Sequence, residues 1–313
     1  MFFFVVRRLL AGAVLILVVS FLSFVLLNLN TDSIAQGALG ENATQAQVDA
    51  KIIQLGLDQP ILTRYTTWLG AAFSGDFGQS WFTSESVWGS ISNRLPVTLS
   101  LVIGVMIVSS LVAFAVGSIA AIRRGNIDRF VQVITVVGYG LPGFLVALFV
   151  VTIFAIQLGW FPATGYVKPG DSLSGWLLTI ILPIAALSVT TIASVTQQVR
   201  SAVGTTLRQE YVRTLRSRGL SEPRILIKHV LRNAAAPALT VLALQFVGLL
   251  GGSVVVESIF ALPGIGSMAV QYTARGDIPV VMGLVVTTVI IVVVVNLVID
   301  LAIGWLSPKA RIA

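Results

Sequence analysis

Apolar and polar positions alternate in blocks along this chain: long apolar runs are separated by shorter polar segments. Residues 9–27 (LLAGAVLILVVSFLSFVLL) form an unbroken apolar run behind Arg7 and Arg8, and five more follow at 96–122, 130–158, 176–199, 234–256 and 279–306. Each covers the roughly twenty residues that a bilayer-crossing helix needs. The last contains TTVIIVVVVNLVI, a β-branched run that would favour a strand on propensity alone. A lipid-exposed strand must close into a barrel of short alternating segments, and no alternation is present, so a helix is expected. Ser33-Ile34-Ala35 faintly resembles a cleavage box. The run before it is longer than the roughly 7–15 apolar residues of a signal peptide, which predicts a retained first helix.

The polar blocks differ from one another. Residues 29–95 are too long for a tight loop. Thr44-Gln45-Ala46-Gln47 fits a capping box opening a short helix that runs to Leu55, with Gly56 as its stop and Pro60 beyond it. Trp68, Trp81 and Trp88 suit a small folded domain at headgroup level, or simple interfacial anchoring. The other prominent block, Arg208 to Pro237 (RQEYVRTLRSRGLSEPRILIKHVLRNAAAP), holds seven of the chain's twenty Lys and Arg. A helix is expected from Gln209 to Arg218, stopped by Gly219 and restarted by Ser221-Glu222-Pro223. Such an elbow is a rigid knob that a partner's groove could grip. Its cations would also suit anionic headgroups, but a lipid-facing loop would not need the Gly break, the paired helices, Glu210 or Glu222.

Composition agrees with the block pattern. Of 313 residues, 56% are hydrophobic and 11% charged, against about 25% charged in soluble chains, which makes this an all-α polytopic membrane protein. The net charge of +7 is spread over segments between apolar runs, as membrane topology requires, and does not point to nucleic acid. With the N-terminus inside and six crossings, fifteen of the twenty Lys and Arg fall on the cytoplasmic side. Both termini are then cytoplasmic and residues 29–95 face out. The expected divisions are 1–28 (N-terminus and first helix), 29–95 (outer domain), 96–306 (a five-helix core with a cytoplasmic loop at 200–233) and 307–313 (cytoplasmic tail).

Candidate chemistry is sparse. There is no cysteine, and the lone His229 cannot build a histidine metal cluster. No ionisable side chain falls near the middle of a predicted span, as an ion-coupled carrier usually requires. Glu257 and Asp300 lie toward span ends, where they are expected to be interfacial. No GxxxxGK[ST] phosphate loop occurs, nor His-Glu-x-x-His, nor a pair of intramembrane aspartates, which argues against an ATPase or a membrane-embedded enzyme. If transport is active, another polypeptide hydrolyses the nucleotide. Gly138-Tyr139-Gly140-Leu141-Pro142-Gly143 must kink or unwind the third span. Either it lines a pathway, or Gly138, Gly140 and Gly143 mark a small-residue helix contact. Pro183 and Pro237 are expected near helix ends, and His229, Asn233 and Pro237 share one helix face.

EYVRTLRSRGL…KHVLRNAAAPALT closely resembles the cytoplasmic loop of bacterial ABC-importer permeases of the dipeptide/oligopeptide/nickel type. LGLDQP (55–60), GDFGQS (75–80), RLPVTLSL (94–101), GGSVVVESIFALPGIG (251–266), RGDIPVVMG (275–283) and LSPKAR (306–311) resemble further segments of the B-type subunit. Leu215, Ser307 and Lys309 depart from the family pattern. The resemblance implies a six-helix type I (MetI-like) permease fold in the bacterial inner membrane. It implies an ATPase-coupling loop made of Glu210, Tyr211, Arg213, Thr214, Leu215, Arg216, Arg218, Gly219, Leu220 and Ser221, with His229, Asn233 and Pro237 as a packing and hydrogen-bonding face between elbow and fifth helix. The implied partners are a homologous C-type permease, two ATP-binding subunits or one two-domain ATPase, and a substrate-binding protein or lipoprotein. ATP and Mg would be bound by the ATPases, leaving no cofactor in this chain. The implied cargo is a di- or oligopeptide; nickel or another small solute is the alternative within the family.

Overall fold

A computed structural model describes residues 2–29, 31–39 and 43–306. The described residues are mostly helical, apart from turns, irregular segments at 74–86 and 158–172, and one isolated bridge between Gln79 and Ser86. In order the helices are α1 (Phe2–Leu27), α2 (Thr31–Leu39), α3 (Gln45–Gln54), α4 (Ile61–Phe73), α5 (Val87–Arg123), α6 (Asn126–Gly140), α7 (Gly143–Val150), α8 (Leu173–Leu207), α9 (Glu210–Ser217), α10 (Glu222–Ile225), α11 (Leu231–Ile259), α12 (Ile265–Arg275) and α13 (Ile278–Leu306). π-Helical turns at Val151–Gln157 and Leu226–Val230 extend α7 and lead into α11. Five segments are long and apolar enough to cross a membrane, and the bent pair α6 and α7 supplies a sixth if it is one span.

The third span is not one kinked helix. Leu141 is extended (φ −79, ψ 121) and Pro142 opens α7, so the two parts meet at 95°. The proline ring excludes its predecessor from the helical region, and Pro142 has no N–H to continue the ladder. α5, α8 and α11 outrun their apolar cores. α5 has 37 residues, about 55 Å at 1.5 Å per residue, well beyond a hydrocarbon core of about 30 Å. Its first three turns carry Val87 and Ile91, fully buried, and Leu95, partly buried, at helical spacing, a core-facing stripe that propagates the helix outward. Pro183 and Pro237 are therefore interior rather than terminal: α8 begins ten residues before Pro183, and the helix from Glu222 runs through the π-turn to Pro237.

By their contacts the residues form two compact units. The first comprises Met1–Val97 with Pro263–Val294. Here the Thr44 N–H donates to Gln47 Oε1 (2.9 Å) at the start of α3, and Gly56 (φ +65) follows its end. Tyr65 of α4 packs edge-on to Phe21 and Phe24 of α1, at 5.2 and 5.5 Å, and its hydroxyl lies 2.9 Å from Ser20 Oγ. Arg64 donates to Asn28 and lies over the Phe24 ring; burial lowers its pKa, with Asp58 opposing. Trp68 belongs to this aromatic cluster and Trp81 packs against it, whereas Trp88 is half-exposed and stacked on Phe77. Of the three tryptophans, Trp88 is the exposed one.

The second unit comprises Thr98–Leu262 with Val295–Ala313. Its core joins α5, α8, α9, α10 and α11 through Ala113, Val199, Val203, Val212, Ile225 and Ala234, all fully buried. Helices approach closely where side chains are smallest. A Cβ on Gly117 would lie 2.8 Å from the Thr196 carbonyl oxygen, so α5 and α8 are nearly in backbone contact there.

Candidate functional site

The elbow forms where its punctuation falls. Gln209 is extended, and Glu210 in the first turn of α9 complements the helix dipole. At the other end Gly219 adopts φ +77; its N–H donates to the Arg216 carbonyl (2.9 Å) and the Leu220 N–H donates to the Leu215 carbonyl (3.3 Å). These two bonds constitute a Schellman stop, with Leu215 and Leu220 packed on the same core cluster. Leu215, the departure from the family pattern, is thus an inward-facing residue that closes the helix. Across the glycine, Arg216 holds Glu222 through two parallel hydrogen bonds of 2.6 and 3.1 Å, fixing α9 against α10. Glu222 raises the Arg216 pKa, although both side chains are exposed and water screens the pair.

One face of the elbow is anchored and the other is free. Val212 is fully buried; Tyr211, Leu215 and Leu220 are half-buried on the α8–α11 core. Glu210, Arg213, Thr214, Arg216, Arg218, Gly219 and Ser221 are exposed. Asn233 of α11 donates to the Tyr211 hydroxyl at 2.8 Å, so the elbow is tied directly to α11. The packing stripe of that helix is Val230, Ala234, Ala238 and Leu242, all buried, while Asn233 and Pro237 are exposed and His229 half-buried. Of the His229–Asn233–Pro237 face, Asn233 supplies the hydrogen bond to the elbow, while the buried packing stripe lies one residue further along.

The glycine-rich break divides similarly. A Cβ on Gly138 would meet Ala193 Cβ at 3.3 Å, which makes it a contact between α6 and α8. Gly140 and Gly143 have open space where a side chain would stand, and Pro142 is exposed. The tail segment around Ser307 and Lys309 lies outside the described residues.

A family model described as "Binding-protein-dependent transport system inner membrane component" matches residues 113–312, and its N-terminal companion matches residues 1–102. The chain belongs to this family of ABC-importer permeases. The permease is 36% identical to a putative peptide transport system permease protein of Brucella abortus (strain 2308), over 98% of each chain. It is 34% identical to the di/tripeptide transport system permease protein DppB of Pseudomonas aeruginosa (strain UCBPP-PA14), over 94% of each. Among solved structures, the MetNI methionine ABC transporter in an inward-facing conformation aligns with TM-score 0.58 at 16% identity, over 69% of this chain and 96% of that one, a likeness of fold. The permease is a multi-pass membrane subunit of a type that works with ATPase and substrate-binding subunits.

Two acidic side chains in the permease, Asp277 and Glu257, are fully buried, although the position of Glu257 near a span end suggests an interfacial place. Asp277 accepts from Ser80 Oγ at 2.6 Å, joining RGDIP to GDFGQS within the first unit. Ser80 Oγ in turn accepts from the N–H groups of Phe82 and Thr83, at 3.2 and 3.0 Å. In the second unit Glu257 accepts from Thr98 Oγ1 at 2.6 Å, joining α11 to α5. Both acids lie inside matched motifs, which was the signal available; their partners are 197 and 159 residues away, beyond the reach of local pattern.

Proposed function

We propose that this chain is the B-type permease of an ATP-driven peptide importer in the bacterial inner membrane, with both termini cytoplasmic. It supplies half of the pathway and pairs with a homologous C-type permease, two ATP-binding subunits or one two-domain ATPase, and an external binding protein or lipoprotein. It holds no nucleotide site of its own; ATP and Mg belong to the partners. The observation that carries this reading is the elbow: a cationic surface held rigidly between α8 and α11 by the Gly219 stop, the Arg216–Glu222 pair and the Asn233–Tyr211 bond. A rigid lever transmits displacement, whereas a flexible loop would absorb it. Closure of the ATPases would move the elbow and, through it, the long helices as a body.

Peptide cargo is favoured by relatives whose names specify peptides. The test is a proteoliposome assay with the permease, its C-type partner, the ATPase subunits and the binding protein. The expected result is uptake of labelled dipeptide that needs ATP and the binding protein. ATP-driven nickel uptake without peptide uptake would overturn the cargo, and ATP-independent uptake would overturn the mechanism.

A further inference from the structure

The ends of α5, α6 and α8 line an open, charged cavity that the elbow does not use. Its volume is about 320 Å³, and its polar lining comes from Arg124, Asp128, Arg200, Ser201, Thr205 and Arg208. Arg200 is engaged with Asp128 through two hydrogen bonds, one of them 2.9 Å, so those two charges offset each other. Arg124 and Arg208 remain: both are exposed and neither forms an ion pair among the described residues, although Arg124 also acts electrostatically on Asp128. With Arg124, Arg200 and Arg208 against Asp128 alone, the lining carries a net charge of +2 (three positive, one negative).

Hydrogen-bond donors and space accompany that charge. Ser201 and Thr205 stand one turn apart on α8, and their hydroxyls have no protein partner among the described residues. Between them, a Cβ on Gly204 would meet nothing within 4 Å, which leaves the floor open. Arg124 sits at φ +33, a conformation L side chains rarely adopt, ahead of Gly125 at φ +75. Backbone strain of this kind persists where the surroundings over-determine it and gathers at binding sites. The same helix ends expose Ile122, Ile127 and Phe130, apolar side chains at the margin of membrane-crossing segments. Two guanidinium groups and two hydroxyls suit a phosphate, and the neighbouring apolar side chains suit the acyl chains attached to one.

We propose that this cavity binds the phosphate of an anionic phospholipid. Arg124 and Arg208 pair with the phosphate oxygens, Ser201 and Thr205 donate to it, and the acyl chains run along Ile127 and Phe130. A bound headgroup would clamp the α5–α6 turn to the end of α8, two residues before the elbow begins.

The experiment compares the complete transporter, purified with its partners, with its Arg124→Gln/Arg208→Gln form. Native mass spectrometry reads retained phosphatidylglycerol after titration from mixed phosphatidylglycerol and phosphatidylcholine micelles. Two surface cations at their usual worth toward anionic lipid predict a roughly 30-fold weaker retention of phosphatidylglycerol in the variant. Phosphatidylcholine retention should not change. Arg124→Lys/Arg208→Lys, which keeps the charge, should recover most of the binding and so separates lost binding from misfolding. Equal phosphatidylglycerol retention by the Gln variant would overturn the proposal. So would displacement of the lipid by millimolar inorganic phosphate, which would make this a site for free phosphate. Unchanged lipid retention with loss of the ATPase subunits would assign the arginines to a protein contact instead.

Discussion

Replacing Gly219 by tryptophan separates the folding of the elbow from its proposed docking. Gly219 has φ +77, and a Cβ there would meet nothing within 4 Å. The cost in the free permease is therefore backbone strain alone, about 1–2 kcal/mol for an L-residue in the left-handed region. That is small against a typical folding free energy of about 5–15 kcal/mol, so insertion and elution should match the unmodified chain. The ring itself adds about 150–250 Å² of surface at the tip of the exposed elbow. Forced into a packed groove, a misfit of this kind costs about 1–3 kcal/mol, or roughly 5- to 150-fold in affinity. Co-purification of the ATPase with tagged permease, read alongside ATP-driven peptide uptake, should fall accordingly. Gly219→Asn is the control, because asparagine tolerates the left-handed region and is small; it should retain docking. Wild-type recovery of ATPase with normal uptake in Gly219→Trp would refute the docking role. Equal losses in the Asn and Trp variants would refute occlusion and implicate the backbone stop.

Other expectations follow from single contacts. Asp277→Ala leaves the buried Ser80 hydroxyl without its carboxylate and should cost about 1.5–3 kcal/mol, read as a lower unfolding midpoint in detergent; an unchanged midpoint would show that the bond is not stabilising. Gly117→Ala places a Cβ 2.8 Å from the Thr196 carbonyl oxygen and should destabilise by about 1–3 kcal/mol, whereas Gly140→Ala meets open space and should show no such penalty. The absence of native cysteine makes topology directly measurable. A Ser217→Cys chain should react with a membrane-impermeant maleimide only in inside-out vesicles and a Thr67→Cys chain only in right-side-out vesicles; the opposite pattern would invert the orientation.

Much of the fold was legible because bilayer-crossing helices leave a strong sequence signal. Every apolar run forms helix, and the elbow breaks at Gly219, where a left-handed residue was needed. The Gly-Pro cluster announced a disruption but not its 95° angle, which depends on the extended geometry forced on Leu141. α4 and α12 were missed for different reasons. Pro60 was read only as a stop although it also opens the next helix, whose Ile61, Tyr65, Trp68, Leu69 and Ala72 share a face. α12 is short and lies between two spans, with Gly276 in the left-handed region as its terminator. The interior positions of Pro183 and Pro237 were hidden because polar or small residues such as Ser174, Gly175 and Arg232 continue the helices N-terminally beyond their apolar cores. The partners of Glu257 and Asp277 were invisible because hydrogen bonds across more than 150 residues leave no local pattern.

The central claim is that this permease is a lever moved from the cytosol by a nucleotide-hydrolysing partner. It is tested most directly by reconstituting the permease pair in liposomes with the binding protein and labelled peptide, with and without the ATPase subunits. Accumulation above the external concentration should occur only when the ATPases and ATP are present. Uphill accumulation by the permeases alone would contradict the account.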